Sequence, residues 1–147
     1  MVRLKHRYAT VELSYSGDSD SGGGRQHDEQ LSSKRMVEEL RKAVQCLHGD
    51  YGLGCVLRSL HVKYLNVQTN IAIIRISRGY YKLLLSALPL MKKLRDIECS
   101  IKVLHLGGTI RSCQRFLIAH NRKYLQECLK TATTPVERAE LMDLIAA

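Results

Sequence analysis

Asn70-Ile71-Ala72-Ile73-Ile74-Arg75-Ile76-Ser77-Arg78 is the stretch whose reading decides the fold. It is rich in β-branched residues, lacks Gly and Pro, and is apolar at both odd and even positions. A strand with this pattern is covered on both faces and sits centrally in a sheet. Working outward, Asn66-Val-Gln-Thr-Asn70 reads as a hairpin connection, which makes Gly54 to Asn66 an antiparallel second strand. Gly79 to about Arg95 reads as a helix that Pro89 should kink or divide, and Ile97 to Leu106 as a fourth strand. Upstream, Val2 to Tyr15 is a first strand. A Ser/Gly-rich loop follows over residues 16–31, expected to be mobile. A helix capped by Ser32 or Ser33 then places Met36, Val37, Leu40, Val44 and Leu47 at helical spacing and stops at Gly49. Two helices close the chain, over about 109–129 and 135–145. The order strand, helix, strand, strand, helix, strand predicts an α+β, ferredoxin-like (RRM-like) βαββαβ fold. Its four-stranded antiparallel sheet would carry extra C-terminal helices, with residues 1–147 forming a single domain.

Composition narrows the function. There are 23 Lys and Arg against 14 Asp and Glu, for a formal net charge of +9. Such an excess favours polyanions through counterion release and electrostatic steering. The 5 cysteines form no C-x-x-C pair, and Cys46 with His48 supplies only two ligands, so neither a zinc site nor a redox motif is expected. Free thiols fit a reducing compartment. No secretory h-region or membrane-length apolar run is present, so the expectation is an intracellular, soluble protein with no membrane partner.

The basic residues are placed as well as counted. His105-Leu-Gly107-Gly108-Thr109 ends an apolar strand, turns through two glycines and opens a helix. The glycines let backbone approach a ligand, and a helix start capped by Thr109 is a ready anion site. From Thr109 to Tyr124 there is no acid; the charges are Arg111, Arg115, Arg122 and Lys123, with His120 adding one when protonated. At about 100° per residue the three arginines fall within about 40° of one another. Ile110, Cys113, Leu117, Tyr124 and Cys128 form an apolar seam on roughly the opposite side. Arginine's planar fork suits phosphate. At the N-terminus Arg3, Lys5 and Arg7 alternate on one face of the first strand, with Leu4, His6 and Tyr8 on the other. From Ala9 the pattern inverts, which requires either a bulge or a change in what covers the strand. The candidate RNA-binding residues are thus Arg3, Lys5, His6, Arg7, Gly107, Gly108, Thr109, Arg111, Arg115, Arg122 and Lys123.

Other readings have less to stand on. The third strand carries no aromatic residue, so stacking of bases on the sheet is not expected, and backbone contacts are the better mode. No G-x-S-x-G, P-loop or H-E-x-x-H motif is present, so no catalytic residue is assigned. Tyr80, Tyr81, Leu84 and Leu88 share a helical face that is either plain core or a protein interface. A protein-interaction adaptor without direct RNA contact is the alternative function, and an acyl- or nucleotide-binding enzyme using the Gly-Gly-Thr turn is a third.

Four blocks in order resemble the eukaryotic Pop-five family of ribonuclease P and ribonuclease MRP protein subunits. They are Val2-Arg-Leu-Lys-His-Arg-Tyr8, Val62-Lys-Tyr-Leu-Asn66, Ser86-Ala-Leu-Pro89, and His105-Leu-Gly-Gly-Thr-Ile-Arg-Ser-Cys-Gln114 with Leu117-Ile118 and Asn121-Arg122. The chain departs from the family in the loop from Ser16 to Gln30 and in lacking the acidic tail of some members. The resemblance implies a noncatalytic subunit of an RNA-based endoribonuclease that binds the catalytic domain of the RNA. It implies removal of tRNA 5′ leaders and, in the MRP particle, processing of precursor rRNA. The partners it implies are ribonuclease P RNA, MRP RNA, a TIM-barrel-like subunit, other ribonuclease P/MRP proteins and, through the holoenzyme, pre-tRNA. No cofactor is expected on the chain itself; Mg2+ is expected at the RNA active site, and the nucleus and nucleolus as compartments.

Overall fold

The structure is a computed structural model that describes residues 3–16, 32–94 and 97–146. It falls into two compact units, Met1–Ile110 and Arg111–Ala147. The first holds the sheet. Its strands are β1 (His6–Tyr15), β2 (His61–Asn66), β3 (Ile71–Ser77), β4 (Lys93–Leu94) and β5 (Ile97–Gly107), in spatial order β2-β3-β1-β5-β4. Every pairing is antiparallel. With α1 (Ser33–Val56) and α2 (Tyr81–Ala87), the first unit is compatible with the ferredoxin-like arrangement. The expected sheet of four strands has five, because β4 adds a short edge to β5. The second unit contains α3, which starts at the boundary (Ile110–Thr131), and α4 (Pro135–Ala146). The loop expected over 16–31 lies outside the described residues except for Ser16.

β3 is central, as its composition requires: it pairs with β1 on one side and β2 on the other. The turn before it is the expected hairpin. Asn66 Oδ1 accepts the backbone N–H of Gln68 at 2.9 Å and of Thr69 at 3.3 Å, and Asn70 adopts φ 55°, a left-handed conformation that Asn tolerates. The inner face of the sheet buries Ala9, Val11, Leu13, Ala72, Ile74, Ile76 and Ile101 against Met36, Leu40, Val44, Val56 and Leu60, together with Leu84, Ala87 and Leu88 of α2 and the turn after it. Helical spacing of 36, 40 and 44 on α1 supplies this face, and Ser32 caps α1 by accepting the Arg35 N–H at 3.3 Å.

The inversion in β1 comes from what covers it. Ala9, Val11 and Leu13 continue the odd-numbered face of Arg7, so the strand passes from a charged margin into the core without a break of its own. The register shift opposite Thr10 and Val11 lies in β5, where His105 and Val103 pair with adjacent residues and Leu104 is the extra one. This bulge turns His105 onto the outer face beside Thr10; without it, the parity of Ile101 and Val103 would have driven it into the core.

Two expectations fail on the inner layer. Gly49 (φ 70°, ψ −165°) breaks the helical run from Ser33, as expected, but a second helical run follows it to Val56, so the residues from Gly54 onward, read as strand, join β2 only at His61. Gly52, Val56 and Leu60, at fourfold spacing, are the buried positions of this second segment. A short apolar run fits either period, and here the helical one wins because its buried side chains complete the core. The helix read as reaching Arg95 stops at Ala87. Pro89 sits in a 3-10 turn, Leu88–Leu90, and Lys93–Leu94 is strand.

Gly49 gives a direct test of the bend. Its backbone lies in a region that only glycine occupies readily, and a Cβ there would meet no atom within 4 Å. Gly49→Ala is therefore expected to cost about 2 kcal/mol from backbone strain alone. Urea unfolding would measure it, and an unchanged midpoint would show that α1 does not need this conformation.

Candidate nucleic-acid interface

Antiparallel pairing gathers the start of β1, the start of β2, the end of β3 and the end of β5 at one end of the sheet. His6 lies opposite Ser77; Tyr8 lies between Arg75 and Gly107; and Arg75 lies opposite His61. Pairing runs on past the strand ends, where the Arg78 N–H donates to the Lys5 carbonyl at 2.9 Å. The basic N-terminal residues and the glycine turn, separated by a hundred positions in sequence, are thereby joined. Arg3 and Lys5 are exposed, His6 and Arg7 half-buried, Gly107 buried, and Gly108 and Thr109 exposed. The Arg7 guanidinium lies over the turn: a Cβ at Gly108 would stand 3.3 Å from Arg7 Nη1. Glycine at 108 thus leaves room for the chain's own Arg7 side chain, where the sequence was read as leaving room for a ligand.

The pole is richer than the sequence indicated. His61, Lys63, Arg75 and Arg78 belong to it, and none is among the binding residues read from sequence. Arg75 is the one charge inside an otherwise apolar strand, a signal visible in the chain; its neighbours across the sheet depend on register, which was not. Among the described residues, no carboxylate forms an ion pair with these charges. The ion pair between described residues, Lys42–Glu39 at 3.0 Å, is on α1, and Glu12 and Glu98 lie toward the other end of the strands. Burial, followed by the positive charges of Arg75, His61 and Lys63, holds the His6 imidazole below its usual pKa.

In the second unit, α3 carries Arg111, Arg115, Arg122 and Lys123, all exposed. Its seam differs from expectation. Cys113 is buried, but Ile110 and Tyr124 are exposed at 38% and 63%. The positions that complete the seam are Phe116 and His120, whose rings stack with centroids 5.7 Å apart. On the helical wheel they lie between Cys113 and the arginine ridge, a place left to solvent if only aliphatic residues and Cys are counted.

The suggested protein interface on α2 divides. Leu84 and Leu88 are fully buried in the core and Tyr81 is half-buried against it, so these face inward as core residues; Tyr80 alone is well exposed, at 41%. His48, considered beside Cys46 as a ligand, instead ties α1 to α2 through Nε2, 2.8 Å from Ser86 Oγ and 3.2 Å from the Leu83 carbonyl. Among the described residues, no three His, Cys, Asp or Glu side chains gather as a metal site, and no helix is long and apolar enough to cross a membrane.

Residues 7–118, which run from Arg7 at the pole through the glycine turn into α3, match the Rpp14/Pop5 family. The chain belongs to this family. Ribonuclease P/MRP protein subunit POP5 of Danio rerio is 35% identical over 99% of this chain and 85% of its own length. The Homo sapiens protein of the same name is 36% identical over 94% and 83%. That of Schizosaccharomyces pombe is 29% identical over 93% and 99%. A chain in the cryo-EM structure of yeast ribonuclease MRP is similar over 87% of this chain and 97% of its own, at a TM-score of 0.49 and 14% identity. Within this member of the Rpp14/Pop5 family, the matched span includes Arg7, Gly107, Gly108, Thr109, Arg111 and Arg115, and ends before Arg122 and Lys123.

Proposed function

We propose that this chain is a noncatalytic protein subunit of ribonuclease P and ribonuclease MRP that holds the catalytic domain of the RNA through its phosphates. The observation that carries this reading is the Arg7 guanidinium over the Gly108 turn, in a cationic pole with no carboxylate partner among the described residues. Such a pole would be self-repelling without an anion to face. Membership in the Rpp14/Pop5 family, and the names of its relatives, support ribonuclease P and MRP RNA as that anion. The chain's part is then to offset repulsion where RNA helices pack closely, while Mg2+ held by the RNA serves the cleavage of pre-tRNA leaders and pre-rRNA. A TIM-barrel-like subunit and the other proteins of the particle are the proposed protein partners, and the nucleus and nucleolus the proposed compartments.

The test is recovery of the tagged full chain from nuclei followed by sequencing of bound RNA. Ribonuclease P RNA and MRP RNA should dominate, with crosslinks at Arg3 to Arg7 and Gly107 to Arg122. Recovery of protein subunits without crosslinks at these positions would favour the adaptor.

A further inference from the structure

On the outer face of the sheet, four basic side chains come together from three strands: His6 of β1, Arg75 of β3, and His61 and Lys63 of β2. Two of their bonds do not close. His61 Nδ1 lies 3.1 Å from Arg75 Nη2 and 3.1 Å from the Ser59 carbonyl oxygen. One nitrogen cannot serve both. Arg75 can only donate, so beside it Nδ1 must be the lone-pair nitrogen of a neutral ring. The Ser59 oxygen can only accept, so toward it Nδ1 must carry a proton. In addition, the buried Arg75 Nε and the buried His6 Nδ1 have no hydrogen-bond partner among the described residues. A buried donor in this state lacks an acceptor, and a phosphate oxygen is one.

We propose that this cluster is a proton-coupled phosphate site for the RNA backbone, in which Arg75 is the ligand and His61 its switch. In the free protein, neutral His61 accepts a hydrogen bond from Arg75 and keeps the guanidinium at the sheet. When a phosphate arrives, a proton from solvent goes onto His61 Nδ1, which turns to the Ser59 carbonyl. The imidazolium then repels Arg75, and the guanidinium bonds the phosphate. His6 adds a second imidazole. Burial, and after it the charges of Arg75 and Lys63, with His61 adding to them once it is protonated, favour its neutral form until an anion offsets them. Phosphate therefore favours the protonated form of both histidines, and by linkage affinity rises as pH falls through their titration.

This inference rests on the RNA-binding reading, and the measurement separates the two. Binding of ribonuclease P RNA to the full chain is measured from pH 6 to pH 8 at constant ionic strength, with the proton balance read by calorimetry in buffers of different ionisation enthalpy. Each proton taken up contributes at most about tenfold per pH unit, and a weakening of roughly fivefold or more from pH 6 to pH 8 is expected. His61→Gln, at an exposed position, should flatten the profile, and His6→Gln should flatten it further. NMR of the wild-type imidazoles needs no variant: RNA should perturb the ring resonances of His61 and raise the lowered pKa of His6. Inorganic phosphate in a parallel titration should do the same weakly and at higher concentration; an equal shift at equal phosphate would assign the site to free phosphate and overturn the RNA assignment. RNA binding with a flat pH profile, or with a slope that survives in the double variant, would overturn the proton coupling alone. No RNA binding at either pH would overturn the functional reading and this one with it.

Discussion

Replacing Arg111, Arg115 and Arg122 together by alanine is expected to weaken binding of ribonuclease P RNA roughly a hundredfold near 0.15 M salt. Each phosphate contact releases about one counterion, and near physiological salt that release contributes a factor of about five. The three guanidinium groups lie along one ridge of α3, are exposed, and have no acidic residue in the first three turns of the helix to compete with phosphate. Affinity measured across a salt series should therefore fall less steeply in the variant, by roughly 2.7 in the log–log slope. Stability should stay within about 0.5 kcal/mol, because alanine is the best helix former and none of the three side chains supports the core. A matched variant with three lysines separates charge from geometry. It should keep the salt slope but bind more weakly, since an ammonium cannot make the two parallel bonds of a guanidinium. An alanine variant with unchanged affinity and slope would remove this ridge from the interface.

The two basic surfaces were not equally legible. On α3 the arginines are close in sequence and the helical period alone sorts them to one side, so the ridge could be read directly. The pole of the sheet needed register. Arg7 and Gly108 are brought together by the Tyr8–Gly107 pairing, and His61, Arg75 and His6 by pairings through β3, none of which a linear pattern specifies. The bulge at Leu104 had no marker at all: no glycine sits there, and only the outward turn of His105 reveals its purpose. For the fold, β3 was legible because a strand apolar on both faces has few places to go, and the hairpin before it because Asn66 and Asn70 have specific turn chemistry. The stretch from Gly49 to Leu60 was not. Gly49 ends one helical run, as glycine usually does, but no local signal says that a second run starts after it, and the core decides that. β4 is two residues long and exists through its pairing with β5.

The largest stability change should follow from Leu84→Ala, at about 3 kcal/mol, in the middle of the range for deleting a buried leucine. Leu84 has no exposed surface and packs in the cluster that joins α2 to α1 and the inner face of the sheet. The neighbouring backbone is held on one side by the His48 contacts to Ser86 and Leu83 and on the other by the 3-10 turn at Pro89, so the gap has little freedom to collapse. That restraint favours a cavity over relaxation, which is the condition under which truncation costs most. Tyr80 provides the contrast on the same short segment. It is well exposed, its side chain is outside the core, and Tyr80→Ala should change stability by less than about 0.5 kcal/mol. Chemical unfolding of the two variants then reads out which side of α2 is spent on the fold. If Tyr80→Ala is the costly one and Leu84→Ala is nearly neutral, the core assignment is wrong and the leucine face is the one free to meet a partner.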